Sequence, residues 1–471
     1  MRTFDLLIVG SGPAGMSAAI RAAKFGLSVV VADEQSAPGG QIWRAIEANV
    51  AARSEKIFGA AYRAGEEVVR RFRASKALYE PNTRVWQIER ASGNDGWDVF
   101  MSRGTTAERV NARRVLLATG AQERPQPFPG WTLPGVMTVG AAQILQKTSR
   151  QIPEQPVWVA GSGPLPLLYM TQLLEAGGSI AGWLDTTPPG AFSRSRSKLL
   201  AASAGWRDLL KGALWSANLR RRGFPIIRDV IAIEAKGIGQ LEQISYRTSS
   251  GKAGTVSAEL LLAHEGVIPS MHFTQAMGCH HRWNDQQLCF EPELDVWGET
   301  SVNGIFVAGD GAGIGGAKAA YTRGELAAVG VAASLNVVSS VVARDDATPL
   351  RAKLVRELAT RPLLDAFFRP RREIFEPVDE TIVCRCEEVT AAEIRFAGRV
   401  GQPGPNQLKA FTRAGMGPCQ GRQCGYTVAN ILASTQCRSI SAVGFQRVRP
   451  PLKSVTLAEI ASIDAPASNN G

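Results

Sequence analysis

The chain has 471 residues, 45% of them hydrophobic and 20% charged, with a formal net charge of +11. Those proportions describe a globular protein with room for about three domains and exclude a disordered or fibrous chain. The basic residues are scattered, with local clusters at 194–198, 220–222 and 369–372. No aromatic-interleaved strand or recognition-helix pattern accompanies them, so the expectation is solvated faces, or an acidic protein partner, and no nucleic acid. Residues 6–10 are too short for a signal-peptide core. The one long uncharged span, 326–343, contains Gly330, Asn336 and three serines, which suits a buried helix. No transmembrane segment and a cytoplasmic location are expected.

Residues 4–9 are an apolar run suited to one buried parallel strand. Gly10, Gly12 and Gly15 follow at G-x-G-x-x-G spacing, and a small-residue helix starts at Pro13 and Ala14. A second apolar run, 27–32, ends in Asp33 and Glu34. Each part has a task in dinucleotide binding. Gly10 permits the tight turn, Gly12 lets the backbone approach a pyrophosphate, and Gly15 lets helix and strand pack closely. The helix N-terminus offers open N–H groups and the positive dipole end. Asp33 lies 18 residues past Gly15 and is preferred to Glu34 as the acid on the ribose.

Residues 37–44, APGGQIWR, form a glycine-rich turn that could close over a ribose or flavin through Gly40 and Gln41. Residues 45–76 read as helical, and 79–110 as a strand meander. A buried strand over 112–121 brings Ala118, Thr119 and Gly120 back beside the first strand. A proline-rich stretch, 127–138, leads to a second βαβ unit over 157–185. There Gly161 and Gly163 fit the fingerprint, but Pro166 replaces its third glycine, so the unit reads as a dinucleotide fold with an impaired site. His264 ends an apolar strand and reads as structural, His280 and His281 as surface residues, and Cys279 and Cys289 as inert thiols.

Residues 300–328 form a third cofactor segment. A strand ends in Gly309-Asp310 and a glycine-rich turn starts a helix near Gly316. Asp310 can reach a polyol hydroxyl, and the helix N-terminus can stabilise negative charge on a reduced isoalloxazine. Towards the C-terminus, Cys384 and Cys386 form C-x-C, and after 32 residues Cys419 and Cys424 form C-x4-C. Four cysteines in two pairs suit a metal site in a reducing compartment. Neighbouring glycines expose N–H groups to inorganic sulfur, which favours [2Fe–2S]; zinc is the alternative, although C-x-C is unusual for a zinc ribbon.

Together these stretches resemble the α (A) subunits of heteromeric flavin dehydrogenases for imino and secondary amino acids. That group includes opine oxidases, D-hydroxyproline dehydrogenases and hydrogen cyanide synthase. The resemblance is carried by GSGPAGMSAA, DEQSAPGGQIWR, LLATGAQERPQPFPGWTLPGVMT, HEGVIPS, GIFVAGDGA and TIVCRCEEVT with TRAGMGPCQGRQCG. It implies an α/β fold of the pyridine-nucleotide disulfide oxidoreductase type, with two Rossmann-like βαβ domains and a small α-rich iron–sulfur domain. The expected division is an FAD-binding domain over 1–150 and 265–345, a degenerate NAD-like domain over 151–264, a linker over 346–377, a bacterioferritin-associated-ferredoxin-like domain over 378–450, and a tail over 451–471.

The resemblance implies FAD on Gly10, Gly12, Pro13, Ala14, Gly15, Asp33, Glu34, Gly40, Gln41, Ala118, Thr119, Gly120, Gly309 and Asp310. It implies a [2Fe–2S] cluster on Cys384, Cys386, Cys419 and Cys424. It also implies a substrate-bearing β subunit similar to D-amino-acid and sarcosine oxidases, room for FMN at the interface and for a small γ subunit, and a downstream electron acceptor. NAD(P) is not expected, and no catalytic acid–base set appears. No cysteine precedes Cys279, so the redox-active pair of disulfide reductases is missing. The expected function is electron relay from oxidation of the C–N bond of an opine, D-amino acid or imino acid. The alternatives are an NAD(P)H-dependent ferredoxin- or nitrite-type reductase and a scaffold with vestigial sites.

Overall fold

A computed structural model describes residues 1–93, 95–401 and 404–463. The last eight residues of the expected tail lie outside the described residues. The first domain is built on a seven-stranded sheet. Strands β1 (Thr3–Val9), β2 (Val29–Ala32), β3 (Leu78–Glu80), β4 (Thr83–Arg90), β5 (Trp97–Arg103) and β6 (Thr106–Leu117) run in the order β3-β2-β1-β6-β5-β4. The strand Ile305–Val307 adds to β6. Besides that strand, β6 has two partners along its length. Residues 106–112 pair antiparallel with β5, and 111–117 pair parallel with β1. The last strand of the expected meander and the expected return strand are therefore one continuous element.

Helix α1 (Pro13–Lys24) crosses from β1 to β2 and buries a face of alanines, Met16 and Ile20. Small side chains let it lie close to the helix Ala317–Ser334. A Cβ on Gly324 would sit 2.1 Å from the Ala14 carbonyl oxygen, and Ser17 Oγ donates to Tyr321 O at 2.7 Å. That second helix holds the first half of the long uncharged span, 326–334, buried in the core. The rest turns and starts the helix Ser340–Leu358, with Val337, Val341 and Val342 exposed, so the span is not one buried helix. No helix among the described residues is long and apolar enough to cross a membrane.

The chain leaves the first domain through Ala121–Glu123 and re-enters through Val267–Pro269, and these two segments pair antiparallel. Between them lies a five-stranded parallel sheet ordered Ile226–Ile227, Ile180–Asp185, Val157–Gly161, Leu261–His264, Val136–Thr138. A three-stranded antiparallel sheet over Val230–Lys236, Gln243–Thr248 and Ala253–Ser257 completes the unit.

Residues 346–377, expected as a linker, are largely helical and packed. Helices Ser340–Leu358 and Arg361–Phe367 fill most of the stretch. Arg371 then donates to Glu265 Oε1 at 2.5 Å, with both side chains buried. A buried, hydrogen-bonded pair fixes the path of a segment, because separating it would strand a charge. The C-terminal unit that follows packs Val383, Ile394, Leu408, Val428 and Leu432 into its own core.

Beyond that unit the chain returns to the first domain. Val448 and Leu452 enter the core beneath the β4–β6 meander. Leu452 N donates to Trp86 O, and Glu459 pairs with Arg84 at 2.8 Å.

Candidate functional site

Three segments distant in sequence meet at the C-terminal ends of β1 and β6. Gly10 turns the chain with φ +102°, where a Cβ would lie 2.6 Å from Ala118 O. Gly15 is tighter, since a Cβ there would lie 1.9 Å from Gly10 O. Gly12 caps α1 without a side-chain partner, and Pro13, which has no N–H, starts the helix, leaving the N–H groups of Ala14 and Gly15 open. Gly309 brings the third segment within reach, as its Cβ would lie 3.0 Å from Ala14 Cβ. Asp310 Oδ1 accepts from Gly315 N at 2.9 Å and Gly316 N at 2.8 Å, which shapes the turn before the helix Ala317–Ser334.

Ala118 N donates to Val9 O, Thr119 Oγ1 donates to Ser270 O at 3.3 Å, and Ser270 N donates to Gly120 O. The segment 118–120 is thus held between the first strand and the re-entering chain. The turn at 37–44 folds over the glycine loop. Gly39 N donates to Ser11 O, and a Cβ on Gly40 would lie 2.8 Å from Gly12 Cα. Gln41 is exposed and accepts from Arg44 Nε at 3.2 Å.

The two acids have different surroundings. Asp33 is buried, and its Oδ2 accepts from both the amide and the hydroxyl of Ser11, while Oδ1 accepts from Gln35 N at 2.8 Å. Glu34 points outward and pairs with Lys453 Nζ at 2.8 Å.

Lys147 escaped the sequence reading. It is buried on the helix Val139–Ser149 and donates to Gln41 O at 3.0 Å, Ile42 O at 3.1 Å and Gln143 Oε1 at 3.1 Å. Burial, and then the nearby Arg44 charge, lower its pKa to about 7, although three carbonyl acceptors suit an ammonium. It ties the 37–44 turn to the second domain. Nothing in its local sequence marks it, because its acceptors at Gln41 and Ile42 are more than a hundred residues away.

In the second βαβ unit, Gly161 has φ +146° and a Cβ there would lie 2.1 Å from His264 O. Pro166 is buried in the first turn of the helix Pro164–Glu175, which forms intact around it. His264 Nδ1 is 2.7 Å from Glu123 Oε1, inside the protein. His280 is exposed, but His281 is not a surface residue as expected. Its Nε2 is 2.9 Å from Thr274 Oγ1, and its ring meets Phe445 edge-on at 4.9 Å. Alternation along the strand predicts one side chain outward and one inward, and the inward partner, Phe445, comes from far along the chain. Cys279 and Cys289 are buried, and burial raises both thiols, Cys289 to about 12.

The four C-terminal cysteines come together as two pairs. The Cys384 thiol shares a hydrogen bond with Cys424. That bond first, opposed by burial and then helped by backbone N–H groups of Gly415, Glu387 and Cys386, holds Cys384 at about 6. Cys386 interacts with Cys419, and burial and its thiol neighbours hold it up. Cys424 feels all three other thiols and is raised well above its ordinary value. Glycines permit the crowding. A Cβ on Gly417 would lie 2.3 Å from Cys386 Cβ, and one on Gly421 would lie 1.2 Å from Gln446 Nε2, which donates to Gln420 O at 2.7 Å. Among the described residues no set of three or more His, Cys, Asp or Glu side chains is gathered as a metal site. The chemistry of the four thiols, with N–H groups aimed at sulfur, nevertheless fits a thiolate-held centre.

The cysteine loop 419–424 is docked on the first domain. Gln122 Nε2 donates to Arg422 O at 3.0 Å, and His272 Nε2 lies 3.2 Å from Gln420 O. Tyr426 and Arg124 hydrogen-bond each other and the Leu288 carbonyl.

Comparisons with known proteins agree with this architecture. Residues 4–185 match the family model for pyridine nucleotide-disulphide oxidoreductases, and residues 379–463 match the sarcosine oxidase A3 domain. The opine oxidase A-subunit of Rhizobium meliloti (strain 1021) is 41% identical over 99% of this chain and 100% of its own length. The HcnB subunit of hydrogen cyanide synthase from Pseudomonas aeruginosa is 32% identical over 98% of this chain and 99% of its own length. The crystal structure of L-proline dehydrogenase from P. horikoshii superposes with a TM-score of 0.71 at 19% identity, covering 97% of this chain and 79% of that one, which supports the fold. On this full-length similarity the chain belongs to the family of opine oxidase A-subunits and HcnB.

Proposed function

We propose that the chain is the electron-transferring flavoprotein component of a heteromeric dehydrogenase or oxidase acting on the C–N bond of an opine, D-amino acid or imino acid. The observation that carries this reading is the docking of the four-thiol loop, through Arg422 and Gln420, onto the domain that holds the three convergent flavin segments. The residues suit FAD. Gly12 and the open end of α1 would take the pyrophosphate, Glu34 the ribose, and Asp310 the ribityl chain. Asp33 instead supports the loop, because both its oxygens are already engaged. Cys384, Cys386, Cys419 and Cys424 would hold [2Fe–2S]. A flavin exchanges electrons in pairs or singly whereas such a cluster carries one, so the two groups supply a relay. In this reading the C–N chemistry belongs on a partner subunit, with FMN accommodated between the chains.

The test is made on the complex purified anaerobically. Its expected composition is non-covalent FAD with iron and acid-labile sulfide on this chain, and substrate should produce the paramagnetic signal of a reduced [2Fe–2S] centre. Cys419→Ser should remove that signal and stop electron delivery to the acceptor while FAD stays bound. Stoichiometric zinc, or unchanged turnover in the variant, would reduce the cysteine unit to a structural staple.

A further inference from the structure

Residues 190–222 join the strands Ile180–Asp185 and Ile226–Ile227 through short helices and one long one, Trp206–Arg220. The long helix buries Leu219 and packs on the helix Pro164–Glu175. Another side carries Trp206, Leu210 and Leu214 at i, i+4 and i+8, which places them in one stripe. All three are about half exposed or more, at 57%, 49% and 60%. On the adjoining short helices Phe192 and Leu200 are 68% and 87% exposed. Single exposed apolar residues are ordinary, but six large ones in one segment, counting Leu199, mark an interaction surface.

The same segment holds eight Lys or Arg side chains and one acid, Asp208. That acid is already paired with Lys318 at 3.0 Å. Arg194, Arg196, Arg207 and Arg220–Arg222 are exposed. We propose that this face docks peripherally on a bilayer rich in anionic phospholipid. The aromatic and leucine side chains enter the headgroup–acyl boundary while the surrounding guanidinium and ammonium groups meet phosphate. A second copy of the chain would set like charge against like. The apolar side chains protrude from convex helices, with Leu200 almost free of neighbours, and a cationic rim complements a negatively charged lipid surface. Lys318 lies in the first turn of the helix that follows the Asp310 turn, so the docked face adjoins the flavin site.

The experiment sediments the full chain, flavin bound, with vesicles of phosphatidylcholine alone or mixed with phosphatidylglycerol. Association is expected with the mixed vesicles only, and added salt should weaken it. Trp206→Glu with Leu210→Glu, and separately Arg220→Gln with Arg221→Gln and Arg222→Gln, should each weaken it by about tenfold or more. Circular dichroism and flavin content should be unchanged, since all these positions are exposed. Failure of the wild-type chain to bind mixed vesicles, or equal binding by both variants, would overturn the proposal. Binding of an acidic partner protein that these substitutions abolish, without vesicle binding, would also overturn it and make the face a protein interface. Neither outcome bears on whether the chain carries a flavin and a cluster.

Discussion

Ser11 and Asp33 stand 22 residues apart and are joined twice, because Asp33 Oδ2 accepts the Ser11 amide at 2.6 Å and the Ser11 hydroxyl at 2.5 Å. The end of β2 therefore holds the glycine loop in shape whether or not a nucleotide is present. The neighbouring carboxylate, Glu34, is exposed and pairs with the partly buried Lys453.

This division of labour separates two substitutions. Asp33→Ala should destabilise the protein by about 3 kcal/mol, because a buried carboxylate that accepts several hydrogen bonds is removed and its donors are left unpaired. Glu34→Ala should leave the melting temperature of the flavin-free protein within about 1 °C, since an exposed ion pair contributes little. Its flavin dissociation constant should rise by roughly tenfold through loss of a ribose contact. Thermal denaturation of apoprotein and flavin titration distinguish the pair. Equal loss of melting temperature in both variants would contradict the assignment.

Two glycines of the fingerprint should fail differently. A Cβ on Gly12 meets nothing nearer than Gly40 Cα at 3.7 Å, whereas one on Gly15 would sit 1.9 Å from the Gly10 carbonyl oxygen. Gly12→Val should fold and purify colourless, because its side chain occupies the space a pyrophosphate needs. Gly15→Val should be largely insoluble. Full flavin content in Gly12→Val would misplace the site.

The second βαβ unit should not seat NADH, because Pro166 puts its ring where the third fingerprint position calls for a small residue. Millimolar NADH is expected to leave the flavin absorbance of the isolated chain unchanged in a stopped-flow trace. Rapid, saturable bleaching would favour an NAD(P)H-dependent reductase instead.

His281 should make the protein acid-labile. Burial, helped by the neighbouring His280, lowers its pKa from 6.5 to about 4. The unfolded chain binds a proton near 6.5 that the folded protein refuses until about 4, so stability falls as pH drops through that window. The loss should approach about 3 kcal/mol at the acid end. Urea midpoints measured from pH 7 to 4 should show less slope in His281→Gln than in the wild-type chain.

The parts of the molecule legible in sequence are those whose causes are local. Glycine spacing, an apolar run and a terminal acid announce β1, α1 and β2 because each constrains its immediate neighbours. The two cysteine pairs are legible for the same reason. Spacing prefers Asp33 to Glu34 as the ribose acid, but it cannot show that Ser11, across the loop, already engages Asp33, because that pairing is tertiary. Lys147 and the inward turn of His281 were invisible because their partners lie far along the chain. The packed 346–377 segment reads as a linker by composition, because arginines and prolines give no sign that Arg371 is buried against Glu265.

The return of residues 448–463 to the flavin domain gives the cysteine unit two moorings, one at each end. A carrier on a single leash must search for its donor, and its turnover slows as the solvent thickens. A carrier moored twice exchanges electrons across a fixed gap, set by packing at Arg422 and Tyr426. Lengthening the stretch before residue 378 would then leave that gap nearly unchanged.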